Sequence, residues 1–250
     1  MGQPGETLLS KPVRADWFAS THWSVVVAAQ EGDCPSAREA LESLCRTYWY
    51  PLYVFVRRNG YSPEDAQDLT QSFFARVLEK DYFAKVDRSQ GKFRAFLLVS
   101  LKHFISDQRD RQRAAKRGGG QVPLSLDAAA AEGRYHLEPV DAATPEKLYE
   151  RRWALTVLAQ ARARLRQEFE ASGRLELYEQ LTGIEAGGEA GLTYARIGER
   201  CGLGENAIKS AALRLRRRYA ELIRQEVAQT VASVAEINEE IRHLLAVIGS

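Results

Sequence analysis

The stretch that most constrains the fold runs from Leu192 to Arg224 and reads LTYARIGERCGLGENAIKSAALRLRRRYAELIR. It predicts a short helix over 194–201, a turn at 202–204 and a long second helix. The two glycines of the turn suit a helix C-cap and the next N-cap, and we expect Leu203 between them to tuck inward. Apolar residues recur at helical steps in the second helix and predict its buried face, formed by Ile208, Ala212, Leu215, Tyr219 and Leu222.

The opposite face of this second helix is mostly polar and basic. Its members are Asn206, Lys209, Ser210, Leu213, Arg214 and Arg217. Amide, hydroxyl and guanidinium groups can contact base edges in the DNA major groove and the phosphates beside it. The pattern is typical of a DNA-binding helix-turn-helix, and an ordinary helical hairpin with solvated arginines is the alternative.

Charge is unevenly distributed along the chain. The formal net charge is only +2 over 250 residues, but residues 102–117 and 209–224 are both rich in lysine and arginine. The stretch between them, 118–144, has an excess of acidic residues. Two separate basic stretches suggest two contacts with a polyanion, with solvated helix surface as the alternative for either one alone.

Several classes of function are disfavoured by composition. Cys34, Cys45 and Cys201 are odd in number and lack metal-ligand spacing, which indicates reduced thiols in a cytoplasmic protein. No apolar run reaches membrane length, and the polar N-terminus does not resemble a signal peptide. The glycines at 118–120 follow no predicted strand and precede no suitably placed lysine, so they form no phosphate loop. We therefore expect no cofactor, no metal, no membrane contact and no catalytic group.

The whole chain predicts helices and no strands, so the expected fold class is all-α. Further helices are predicted near 22–30, at 35–59, at 62–80, from 93 onward, at 144–170 and at 175–181. The expected organisation is an N-terminal arm at 1–20, a helical domain at 21–117, a linker at 118–144, a helix-turn-helix domain at 145–225 and a helical extension at 226–250. A flexible linker of this length would span about 30 Å.

Two features of the N-terminal half are candidate binding surfaces. One face of the helix that starts at Ser62-Pro63 carries acidic and amide groups, at Glu64, Asp68 and Gln71, with Asp65 beside it. Such a face is most often simply solvated. The loop at 80–92 interleaves aromatic and basic residues, a combination that suits a single nucleic-acid strand, whereas the phenylalanines after it have core spacing.

Three segments together resemble the extracytoplasmic-function (ECF) branch of bacterial RNA polymerase sigma factors. YWYPLYVFVRRNGYSPEDAQDLTQSFFARVLEKD resembles the second and third helices of that family, with its Glu-Asp-Ala-x-Asp-Leu-x-Gln core. FRAFLLVSLKHFISDQRDRQR resembles the helix that meets the opened promoter. The helix-turn-helix stretch resembles the domain that reads the upstream promoter element. The resemblance covers about 21–224 in the family's order.

The resemblance implies a sigma factor that binds core RNA polymerase and directs promoter recognition and opening. The polymerase-binding residues it implies are Asp65, Asp68, Leu69 and Gln71. The residues it implies for the opened promoter strand are Arg88, Lys92, His103, Asp107, Arg109, Arg111 and Arg113. For the upstream element it implies Asn206, Lys209, Ser210, Leu213, Arg214 and Arg217. An anti-sigma factor or another regulator is a further candidate partner, and we expect the free chain to be a monomer.

Two other functions are compatible with the same sequence. A free-standing helix-turn-helix regulator would bind duplex DNA without polymerase and use its N-terminal domain for an effector or a second copy. An adaptor would present its basic faces to an acidic protein and bind no nucleic acid.

The tail beyond the resembling region has its own helical pattern. Ser233 and Glu236 have capping-box spacing and predict a helix to about Val247. Its apolar stripe is Val234, Ile237, Ile241, Leu244, Leu245 and Ile248, and we expect Glu236, Glu239, Glu240 and Arg242 to be solvated. The helix has three possible sites of packing: the helix-turn-helix domain, the N-terminal domain as a self-inhibiting clasp, or another protein. The short connection favours the first.

Overall fold

The computed structural model describes residues 35–77, 92–114, 128–136, 144–185, 193–231 and 233–249. Within these ranges the chain is helical and contains no strand, which confirms the all-α prediction. The helix predicted near 22–30 and the loop residues 80–91 lie outside the described residues. The helices are α1 (Pro35–Arg58), α2 (Pro63–Val77), α3 (Phe93–Ala114), α4 (Ala128–His136), α5 (Pro145–Ala171), α6 (Leu175–Glu185), α7 (Tyr194–Cys201), α8 (Glu205–Ala228) and α9 (Ile237–Ile248), with a 3-10 turn at Val234–Glu236.

Side-chain caps fix the start of three of these helices. The backbone N–H of Asp65 donates to Ser62 Oγ at 3.1 Å, directly before α2. Thr144 Oγ1 accepts from the backbone of the third residue of α5 at 3.3 Å, and Thr193 Oγ1 caps α7 in the same way at 3.3 Å. Each cap satisfies a backbone donor that has no partner inside the helix, so the chain enters these helices where the sequence predicts.

A first core joins the N-terminal helices to parts of the chain that follow much later. Tyr48 of α1, Phe93 of α3 and Trp153 of α5 are buried together, with the Tyr48 and Phe93 rings 5.1 Å apart in an edge-to-face arrangement. Val231 and Leu244 close this core from the end of the chain. The start of α5 and the tail therefore belong to the same packed unit as the N-terminal helices.

A second core holds the helix-turn-helix. The last half of α5 supplies Leu165, α6 supplies Tyr178, α7 supplies Ile197, and α8 supplies Ile208 and Leu215. Because α5 runs without interruption through both cores, it fixes the position of the helix-turn-helix relative to the N-terminal helices.

Part of the stretch predicted as a flexible linker is a docked helix. In α4, Ala131 is buried, and Glu132 forms an ion pair with Arg57 of α1 at 2.8 Å. The Tyr53 hydroxyl donates to the same carboxylate, and the Arg57 guanidinium lies 4.6 Å from the centre of the Tyr135 ring. These contacts attach α4 to α1, so the structure differs from the expected linker over 128–136.

The turn of the helix-turn-helix differs from the prediction at one residue. Gly202 adopts the left-handed conformation, with φ of 65°, as a helix C-cap. Leu203 does not tuck inward, because 45% of its surface is exposed. Its backbone carbonyl packs against Gly198, where a Cβ atom would lie 2.4 Å from the carbonyl oxygen. Main-chain atoms of the turn therefore occupy the space next to α7, and the leucine side chain points away.

The tail forms the predicted helix and packs on α5 and α8, which belong to the predicted helix-turn-helix domain, but it does so within the core that these helices share with the N-terminal helices. Ile237 and Leu244 are buried in the first core, and α9 lies against α5 and the end of α8. Two of the predicted stripe residues, Val234 and Leu245, are exposed, and Glu240, expected in water, is completely buried. The reason is that a cationic partner for Glu240 lies on α3, so α9 turns this carboxylate inward. No helix in the described ranges has the length and apolar character needed to cross a bilayer.

Candidate nucleic-acid interface

The predicted DNA-binding face of α8 is exposed along its length. Ile208, Leu215 and Leu222 are buried on the opposite side, as their spacing predicts. The exposed members of the face are Asn206, Lys209, Ser210, Leu213, Arg214 and Arg217. Their exposure confirms the geometry of the prediction, whereas their contact with DNA stays a prediction.

The cations of α8 fall into two groups. Arg214 and Arg217 form no ion pair or hydrogen bond with any described residue. Arg218 instead bonds Glu168 of α5 at 2.7 Å and Glu221 at 2.8 Å. The hydrogen bond to Glu168 is the main cause that raises the pKa of Arg218 above its ordinary value. The arginine run 216–218 therefore serves partly to hold α8 on α5, and only part of its charge is available to a ligand.

The predicted strand-contacting face of α3 is only partly free. His103, Asp107 and Arg109 are exposed. The Arg109 Nε–H donates to the Tyr61 hydroxyl at 2.7 Å, and its guanidinium lies 5.2 Å from the centre of that ring. Arg111 and Arg113 belong to α3, but their side chains lie outside the described part of the structure, as does the whole of Arg88.

Lys92, the remaining predicted strand contact, is occupied by the tail. Its ammonium group lies 2.7 Å from Glu239 and 3.0 Å from Glu240 of α9. Burial acts to lower the pKa of Lys92, but the hydrogen bonds to these two carboxylates outweigh it and raise the pKa above its ordinary value. Lys92 is thus charged, and its ion-pair partners belong to α9 of the same chain.

Lys92 belongs to a network of charges that also includes Arg94, Glu150, Glu240 and His243. Arg94 Nε–H donates to Glu240 at 2.5 Å, and Nη1 donates to Glu150 of α5 at 2.5 and 2.6 Å. His243 Nε2 of α9 lies 2.7 Å from Glu150. Sequence analysis missed this network, because Arg94 and Glu240 are 146 residues apart and neither belongs to a local motif.

The exposure predicted for the acidic face of α2 is confirmed at Glu64, Asp65 and Asp68 and is wrong at Gln71. Glu64, Asp65 and Asp68 are exposed, and Leu69 is partly buried. Gln71 is buried, with only 6% of its surface exposed, and its Nε2 has no hydrogen-bond partner. The buried side of α2 is therefore wider than its apolar residues indicate, because it includes this amide together with Thr70.

The described residues contain no arrangement of His, Cys, Asp and Glu that could hold a metal ion. Cys201 is a free thiol, and burial raises its pKa.

Comparison with known proteins agrees with the segments that form these surfaces. A family model described as ECF sigma factor matches residues 30–232. The match includes the candidate faces of α2, α3 and α8 and stops before α9. No curated protein and no solved structure matches the chain.

Proposed function

The chain belongs to the ECF sigma factor family, and from this premise we propose that it binds core RNA polymerase, directs it to promoters and stabilises the opened strand. Sigma factors of this family act in transcription initiation and are not enzymes. The proposal concerns stoichiometric binding and requires no group that makes or breaks a covalent bond.

The exposed face of α8 carries the proposal most directly. Arg214 and Arg217 are exposed cations without partners among the described residues, on a helix whose opposite side is buried at Ile208, Leu215 and Leu222 and partly buried at Tyr219. A helix held in this way can enter a major groove without losing contacts to its own domain. Asn206, Lys209 and Ser210 add donors and acceptors for base edges or phosphates, and Leu213 adds an apolar contact. We assign this face to the upstream promoter element.

In the proposal, the exposed face of α2 binds core polymerase and the exposed face of α3 contacts the opened promoter strand. Asp65 and Asp68, with Leu69 at their edge, form the docking surface for core polymerase. Gln71 is excluded from direct contact in this conformation because it is buried. His103, Asp107 and Arg109 contact the opened strand, together with Arg88, Lys92, Arg111 and Arg113.

The test is binding and transcription with purified bacterial core polymerase. The full chain should co-elute with core enzyme and enable transcripts to start at defined positions on a genomic template. The double variant Asp65→Ala, Asp68→Ala should weaken polymerase binding at least about ten-fold. The melting temperature should fall only slightly, because both side chains are exposed and Asp65 loses one hydrogen bond, from the Ser62 hydroxyl at 3.0 Å.

The matched control is Glu176→Ala, Glu199→Ala, which removes two exposed acids from α6 and α7. The control should retain polymerase binding. A chain that binds a specific duplex equally well with and without polymerase, and that does not support initiation, would instead be the free-standing helix-turn-helix regulator.

A further inference from the structure

The tail helix α9 holds the start of α3 through several contacts. Glu239 and Glu240 bond the Lys92 ammonium group, and Glu240 also bonds Arg94. The backbone N–H of Phe93 donates to the carbonyl of Thr230, at the end of α8, at 3.2 Å. The C-terminal segment therefore fixes both the backbone and the cations at this end of α3.

The two carboxylates differ in how firmly they are held. Glu240 is completely buried, and it faces both Lys92 and Arg94. The side chain of Glu239 is 63% exposed and bonds only Lys92. The Lys92 side chain is only 19% exposed, but its pair with Glu239 is open to solvent on the carboxylate side, where another anion can replace Glu239 at little cost, whereas a buried charge with two partners stays in place. Glu240 therefore anchors α9, and Glu239 is the group that a competing anion can displace.

We propose that α9 is an autoinhibitory clasp, in which Glu239 occupies Lys92 and so weakens the binding of a single DNA strand to the start of α3. The inference rests on the proposed function, since it requires α3 to meet that strand. Glu240 holds the buried side of the Lys92 ammonium group, so a DNA phosphate would have to approach the side on which the exposed Glu239 lies, and the two anions compete there. Ile237 and Leu244, buried in the first core, keep α9 next to the site whichever anion occupies Lys92.

The clasp is proposed for this chain and not for its family, because α9 lies beyond the residues that match the family model. The match to the ECF sigma factor model ends at residue 232, and α9 begins at Ile237. A strand that displaces Glu239 from Lys92 would relieve the inhibition while α9 stays packed.

The experiment measures the affinity of the full chain for a fluorescent single-stranded oligonucleotide of mixed sequence at low salt. Glu239→Gln should bind about two- to five-fold more tightly than the unmodified chain, the range expected when one exposed ion pair no longer competes. Glu199→Gln is the matched control, because it removes one negative charge from an exposed position on α7. The control should show a smaller gain. Adding Lys92→Gln to Glu239→Gln should abolish the gain.

Together, these variants distinguish a failure of the clasp from a failure of strand binding by α3, on which the clasp depends. Glu239 is exposed, so Glu239→Gln should melt like the unmodified chain, which a thermal scan checks. If Glu239→Gln gains no more than Glu199→Gln while Arg109→Gln weakens strand binding, the clasp is refuted and strand binding by α3 stands. If the unmodified chain does not bind the strand, or if Arg109→Gln does not weaken binding, strand binding by α3 is wrong and the clasp is overturned with it.

Discussion

Two groups of basic residues, one on α8 and one at the start of α3, lie in segments that the sequence assigns to DNA binding, and they differ in the fold. On α8, Arg214 and Arg217 project from the exposed side of a helix and have no partner among the described residues. At the start of α3, Lys92 and Arg94 are turned toward carboxylates of α5 and α9. The comparison teaches that a count of basic residues does not measure the positive charge available to DNA.

The difference has a physical origin in burial. Arg94 is almost completely buried, and a buried guanidinium is tolerated only where carboxylates and hydrogen bonds replace its water. Glu150 and Glu240 meet this need, and the Tyr149 hydroxyl donates to the carbonyl of Arg94 at 2.8 Å. Arg214 and Arg217 on α8 are exposed and need no such partners, so their charge stays available.

The largest expected effect is a loss of stability when Arg94, the buried arginine of the comparison, is removed. Arg94→Ala should reduce the free energy of unfolding by about 3–5 kcal/mol, because it leaves Glu240 buried with Lys92 as its remaining cationic partner. Arg217→Ala, the matched exposed change, should alter it by less than about 0.5 kcal/mol. Urea unfolding followed by circular dichroism measures both. Equal effects would mean that the two arginines do not differ as described.

An intermediate effect is expected in duplex DNA binding. Arg214→Ala should weaken binding by about 1 kcal/mol and flatten the salt dependence by roughly one unit of slope, evenly across sequences, if this exposed guanidinium meets a phosphate. Lys92→Ala should leave the duplex slope unchanged, because its charge is already neutralised by Glu239 and Glu240. Titration over a range of salt concentrations checks both. If Lys92→Ala flattened the salt dependence of duplex binding and Arg214→Ala did not, Lys92 and not Arg214 would be the cation available to DNA.

The smallest effect concerns the α8 arginine that is not free. The hydrogen bond from Arg218 lowers the pKa of Glu168 below its ordinary value, so this pair stabilises the fold above the unfolded pKa of about 4.3. The contribution is lost as the pH falls through the native pKa of Glu168. Because both side chains are partly exposed, we expect well under about 1 kcal/mol.

Thermal unfolding between about pH 3 and 7 measures this contribution. Glu168→Gln should melt lower than the unmodified chain at neutral pH, and the two should converge in acid. Glu199→Gln is the control for loss of one exposed acid. A constant difference between Glu168→Gln and the unmodified chain at every pH would exclude the Arg218 pair as its cause.

Much of the fold and part of the site could be predicted from local sequence. Ser62, Thr144 and Gly202 mark helix ends by short-range chemistry, and the structure has helix ends at these positions. The exposed and buried faces of α8 also agree with the prediction, because their periodicity is a property of a single helix.

The errors occur where a residue's neighbours come from elsewhere in the chain. Gln71 was expected on the exposed face of α2, but it is buried, with only 6% of its surface exposed. Glu240 was expected in water and is buried beside Arg94. The helix α4 was missed, and its ion pair joins Glu132 to Arg57, 75 residues earlier. No local pattern contains these pairs.

The sequence by itself determined the helical class, most helix boundaries, the helix-turn-helix and the family to which the chain belongs. Each of these depends on backbone capping, periodicity or a contiguous motif, which act over a few residues. Only the tertiary structure decided that α5 serves two cores, that α9 packs in the first of them, and that Lys92 is occupied while Arg214 is free. Those outcomes depend on which distant side chains share a low-dielectric interior, because burial makes an ion pair necessary at Arg94 and exposure makes it unnecessary on α8.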